Sequence, residues 1–107
     1  MTSQVKDFRG VVFDLSGSVL PQTEIEVLRK DDLDAGPVLQ LHSDDKGEFS
    51  EHLDSGSYVA LFTHPGFKTY VAVFEVTGTG EQILRVTLEL GGVGYNESLK
   101  RPELNVS

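Results

Sequence analysis

The chain contains no cysteine. That excludes a disulfide framework, a cysteine-ligated zinc site and a thiol nucleophile. It leaves the compartment open, because a domain of this size is stable without covalent staples. Basic residues are few: nine Lys and Arg stand against 17 Asp and Glu, a net charge of −8. A protein that grips nucleic-acid phosphates needs the reverse balance. Anionic lipid surfaces also repel such a chain. We therefore expect no nucleic-acid partner and no direct membrane insertion. Long apolar runs are missing, and none approaches the ~20 residues of a membrane helix. The opening Met1-Thr2-Ser3-Gln4-Val5-Lys6-Asp7 lacks the apolar core of a signal peptide. Both a cytoplasmic protein and an excised piece with an added start Met fit that opening.

What is present points to one all-β domain. The 107 residues, 38% of them hydrophobic, suit a single core. Eleven glycines punctuate short apolar runs. Turn signals fall at Ser16-Gly17-Ser18, Asp34-Ala35-Gly36-Pro37, Asp44-Asp45-Lys46-Gly47, Asp54-Ser55-Gly56, His64-Pro65-Gly66 and Gly78-Thr79-Gly80. Their spacing, mostly about ten residues, is the rhythm of a β-sandwich. Between them the residues alternate. Phe8, Gly10 and Val12 share one parity and Val11, Phe13 and Leu15 the other. Thr23, Ile25 and Val27 alternate with Glu24 and Glu26, a half-buried strand. Val38 to His42 is a third strand, and Phe49 and Leu53 bracket Glu51 in a fourth. Tyr58 to Thr63 is apolar on both faces, as a central strand is. Thr69 to Val76 and Leu84 to Leu90 complete seven strands. Helix has little support, and Asp31-Asp32-Leu33-Asp34 reads as a loop. The expected layout is a tail over 1–7, a sandwich over 8–91, and a tail or extra edge segment over 92–107.

The punctuation resembles that of the carboxypeptidase regulatory-like domain, a family of transthyretin-like (prealbumin-like) sandwiches. Phe8-x-Gly10-x-Val12-x-Asp14, Ser16-Gly17, Leu20-Pro21 and Thr23-x-Ile25-x-Val27 resemble its opening. Ser43-Asp44-x-x-Gly47-x-Phe49 is similar to its "TD..G.F" turn, and Ser55-Gly56-x-Tyr58-x-Ala60 to its "pG.Y.l" turn and strand. Gly66-Phe67 and Leu84-x-Val86-x-Leu88 resemble the later "Gy" and closing strand. The resemblance implies a seven-stranded, antiparallel, Greek-key, immunoglobulin-like or transthyretin-like sandwich. Phe49 and Tyr58 would plug its core, with the Tyr58 hydroxyl near a wet edge. Glu51 departs from the pattern, since it shares the parity of Phe49 and Leu53. A solvated edge strand or a bulge accounts for it.

Catalytic patterns are not visible. His42, His52 and His64 sit in separate segments, and no pair has a metal-ligand spacing. The resemblance places peptidase activity in a separate domain with a His-x-x-Glu zinc pair, and none of the three is followed by one. The related hydroxyisourate hydrolases carry a Tyr-Arg-Gly-Ser-type tail, whereas this sequence ends Leu104-Asn105-Val106-Ser107. Intradiol dioxygenases of similar fold hold iron with two Tyr and two His; Tyr58, Tyr70 and Tyr95 are present, but Tyr58 is taken by the core. Gly-x-Ser-x-Gly is missing. We expect three structural histidines, no cofactor and no enzyme activity.

Two weaker candidates are left. Asp44, Asp45 and Glu48, with Asp31, Asp32 and Asp34, are acidic loops with oxygen ligands suited to calcium, short of an EF-hand pattern. The plainer reading is solvated, Asx-capped turns. Tyr70 and Phe74 share one parity of the sixth strand. With Val71 and Val73 in the core they would stand outside, ~13 Å apart, and stack on a sugar or a partner. With the opposite orientation they are core. By family analogy the expected role is an accessory module of a larger extracellular or periplasmic protein, meeting a protein partner or neighbouring domain. Carbohydrate binding through exposed aromatics is the alternative, and a small transthyretin-like hydrolase the third reading.

Overall fold

A computed structural model describes residues 3–79 and 82–91. Seven strands follow one another: β1 (Ser3–Asp14), β2 (Glu24–Arg29), β3 (Leu39–His42), β4 (Glu48–Glu51), β5 (Gly56–Thr63), β6 (Tyr70–Val76) and β7 (Gln82–Leu88). One turn of 3-10 helix, Leu33–Ala35, lies in the acidic loop before β3. The pairing order is β3-β2-β5-β6-β1-β4, with β7 also on β1.

β1 belongs to two layers. Its first residues, Ser3–Val5, run parallel to Phe74–Val76 of β6. Further on, Phe8–Val11 pair antiparallel with β4, and Gly10–Asp14 run parallel to β7. Pairings that do not involve β1 are antiparallel. The result is a mixed all-β sandwich, with β3-β2-β5-β6 facing β4-β1-β7.

The crossover changes which side chains point inward. Val5 is fully buried, and so are Phe8 and Val12. Strict alternation cannot bury both residues 5 and 8, and the register against β7 shifts between Val5 and Gly10. This corrects the expectation of a tail over 1–7: Ser3–Asp7 form strand, and Val5 is core. The segment 92–107, with Tyr95, lies outside the described residues.

The core is aromatic where the layers meet. Phe8 packs on Phe49 at 4.7 Å between ring centroids, on Phe74 at 5.1 Å and on Phe62 at 6.4 Å. Phe8 and Phe49 come from one layer and Phe62 and Phe74 from the other, so these contacts join the sheets. Ile25, Val27, Ala60, Val86 and Leu88 fill the space around them, each at most 1% exposed. Tyr58 is buried too, and its hydroxyl donates to the Asp54 carbonyl at 2.7 Å, which satisfies its one polar atom. With no cysteine, this apolar packing and a small polar network hold the layers. In that network the Ser43 hydroxyl accepts the Thr23 N–H at 2.9 Å and donates to the Leu20 carbonyl at 2.8 Å. Thr23 and Ser43 are at most 1% exposed.

Glu51 ends β4, which has β1 as its strand neighbour and forms an edge. Its side chain is exposed, so the departure from the family pattern is the solvated end of an edge strand.

Candidate functional site

The residues singled out by chemistry do not assemble. Phe74 is fully buried between Phe8 and Tyr58, with centroids at 5.1 and 5.7 Å. It therefore drops out as a surface ligand. The cause is register: Phe74 lies opposite Tyr58 and Ala72 opposite Ala60, whose side chains already point inward on β5. Tyr70 shares that parity but sits at the strand end, 38% exposed, with its ring edge-on to Phe62.

The acidic loops are built as turns. Asp44 Oδ1 accepts the N–H groups of Lys46 and Glu48, both at 2.9 Å. Asp14 repeats the arrangement, accepting from Ser16 at 2.8 Å and Ser18 at 3.1 Å. Each loop then closes through a left-handed glycine, Gly47 or Gly17. The Ser16 hydroxyl adds a 2.6 Å hydrogen bond to Asp14. That bond, more than the backbone donors, holds the Asp14 carboxyl below the usual carboxylate range. Asp44, Asp45 and Glu48 follow β3, whereas Asp31, Asp32 and Asp34 precede it, so the two loops lie at opposite ends of that strand. Among the described residues, no three His, Asp or Glu side chains gather to hold a metal ion.

The histidines are likewise dispersed. His52 directly follows β4, in the loop that leads into β5, with Nδ1 3.2 Å from Asp7 and Nε2 3.3 Å from Asp54, and its side chain is 77% exposed. His64 follows the other end of β5. Its nitrogens lie 3.2 Å from the carbonyls of Pro65 and Pro21, and its ring meets Phe67 edge-on. His42 is at the same end as His64, with Glu24 between it and Thr63 in the sheet. That separation is about 10 Å, two strand spacings.

What sequence patterns left unmarked is the outer face of the larger sheet. Leu28, Val59 and Val73 lie directly opposite one another across β2, β5 and β6. Leu61 and Val71 form the adjacent row, which continues into Glu26. Val71 is 56% exposed and the other four aliphatics are half-buried. Gln40 donates to Glu26 at 3.1 Å, giving the patch a polar margin. The signal was present in the sequence as the two apolar faces of Tyr58–Thr63. A contiguous apolar patch with a polar rim is a feature of interaction surfaces.

This sandwich, with one strand shared by both layers, is of the transthyretin-like class. The carboxypeptidase regulatory-like domain profile matches residues 7–89, and the chain belongs to that family. Comparison with curated protein sequences returns no match. Among solved structures, the Bacillus anthracis TIE protein is similar at 21% identity and a TM-score of 0.64, over 78% of this chain and 17% of that one. The Klebsiella pneumoniae 5-hydroxyisourate hydrolase is similar at 15% identity and a TM-score of 0.58, over 86% and 93%. BcpA, the major pilin subunit of Bacillus cereus, is similar at 16% identity and a TM-score of 0.58, over 77% and 27%. At these identities the likeness is one of fold.

Proposed function

We propose that the chain is a non-catalytic accessory domain, a protein-interaction or structural module of a larger secreted or envelope protein. The observation that carries this reading is the apolar outer face of β2, β5 and β6, with Val71 at its exposed margin. Such a face suits contact with another domain, since solvent-facing sheet surfaces are ordinarily polar. Family membership supports it. So do the TIE protein and the pilin subunit, where this fold occupies 17% and 27% of a longer chain. The pilin neighbour also favours an extracellular setting. Among the described residues, no helix is long and apolar enough to cross a membrane. Against a hydrolase reading, His52 stands at the opposite end of β5 from His64, and at the His64 end the strand of Glu24 separates His42 from Thr63.

Carbohydrate binding is the competing reading, and Tyr70 is its strongest support. Burial of Phe74 leaves that half-exposed ring without the partner expected on its strand. A glycan array probed with the protein and with Tyr70→Ala separates the two readings. The expected result is no specific glycan signal. A signal abolished by Tyr70→Ala would overturn the protein-interaction reading.

A further inference from the structure

β3 and β4 leave the Asp44–Gly47 turn as a hairpin, closed by the Asp44 N–H donating to the Glu48 carbonyl at 2.8 Å. They then separate, because β3 pairs with β2 in one layer and β4 with β1 in the other. Each is an edge strand of its layer. Beside them runs a groove of about 440 Å³, lined from Leu41 and His42 of β3 across β4 to Arg9 and Val11 of β1 and Ile83 of β7.

The groove has two chemical features. Val11, Leu41, Phe49 and Ile83 give it apolar walls, while Asp44, Glu48 and Glu51 place three carboxylates along it, against Arg9 as the strong base. The backbone adds a third feature. Glu48 turns its backbone groups to Asp44 rather than β1: its carbonyl accepts the Asp44 N–H and its N–H donates to Asp44 Oδ1. Alternation on an antiparallel pair then turns the N–H and C=O of Ser50, opposite Arg9, away from β1. That edge is a template for another strand.

We propose that the β3–β4 groove docks an extended peptide segment of another protein, one that alternates apolar and basic side chains and adds to the outer edge of β4. Main-chain hydrogen bonds to Ser50 would supply affinity and the walls would take alternate side chains, the logic of strand addition. The carboxylates set the sign of the partner's charge, as does the net charge of −8. This inference rests on the interaction-module reading, and it uses a surface separate from the Val71 face.

Two ten-residue peptides test it, one alternating Val and Lys and the other alternating Val and Glu, titrated into the isotope-labelled full chain at low salt. The Val–Lys peptide is expected to bind at least tenfold tighter. Its amide shifts should concentrate on Leu39–His42 and Glu48–Glu51. Ser50→Pro, which removes an edge N–H, and the double variant Glu48→Lys/Glu51→Lys should each weaken binding at least tenfold. All three positions are exposed, and retained dispersion of the spectrum shows that the variants fold. Equal binding of both peptides, shifts centred on Val59 and Val71, or no binding would overturn the proposal. Shifts on the Val71 face would leave the interaction-module reading standing, so the two fail separately.

Discussion

The Phe49 ring covers Gly10, its cross-strand partner, so closely that a Cβ at residue 10 would lie 2.8 Å from Phe49 Cζ. The same Cβ would meet the carbonyl oxygen of Leu84, paired with Gly10 on the other side. Gly10 is therefore the point at which β1 fits between β4 and β7.

Gly10→Ala should destabilise the domain by about 3 kcal/mol, the upper part of the range for overpacking a core. At roughly 4–8 °C per kcal/mol for a domain of this size, thermal melting should drop by more than 10 °C. Phe49→Leu should not rescue it, because the closer obstacle is backbone. Gly17→Ala, where a Cβ meets open space at a φ of +91°, is the control for positive-φ strain alone. A melting temperature for Gly10→Ala equal to that of the control would contradict this packing.

Ser43→Ala should cost about 2 kcal/mol. It leaves the Thr23 N–H without its acceptor in a buried site and removes one donor from the Leu20 carbonyl. The Thr23 hydroxyl still donates to that carbonyl at 3.1 Å, which limits the loss. Ser57→Ala, on the exposed face of β5, should change stability by less than about 0.5 kcal/mol. Urea titrations of the two variants check the difference; equal midpoints would show that the Ser43 network does not tie the layers.

Asp14 predicts an acid-side effect. Its carboxyl is held below the usual range by the Ser16 hydroxyl and then by the backbone N–H groups of its turn. The folded state therefore favours the carboxylate, and the stabilisation is present above the unfolded-state value of about 3.9. It is lost as pH falls through the folded-state value. Asp14→Ala should melt below the parent protein at pH 7, and the gap should begin to close near pH 4. A gap unchanged down to pH 2 would contradict the assignment.

The turns and the seven strands were legible because Gly, Asp and Pro punctuate the chain at regular intervals. The sides of the strands were harder. Tyr70–Val76 is apolar at both parities, so period two cannot choose a face; the register with Tyr58 and Phe62 chooses it. Val5 and Phe8 are three residues apart, a spacing that alternation excludes and a shifted register permits. The parallel pairings of β1 carry no local signal. Nor does the bond between Thr23 and Ser43, 20 residues apart. The outer apolar face was half legible, as the second apolar side of β5, but its extent depended on Leu28 and Val71 arriving beside it.

The most direct test of the interaction-module account is photo-crosslinking in cells of the native host. A photoreactive amino acid is placed at Val71, at the exposed margin of the face, and in a second variant at Glu89, an exposed position after β7. The account predicts a discrete protein adduct from position 71, lost when Leu61→Lys is added, with little from position 89. No adduct, or equal and diffuse labelling from both positions, would contradict it.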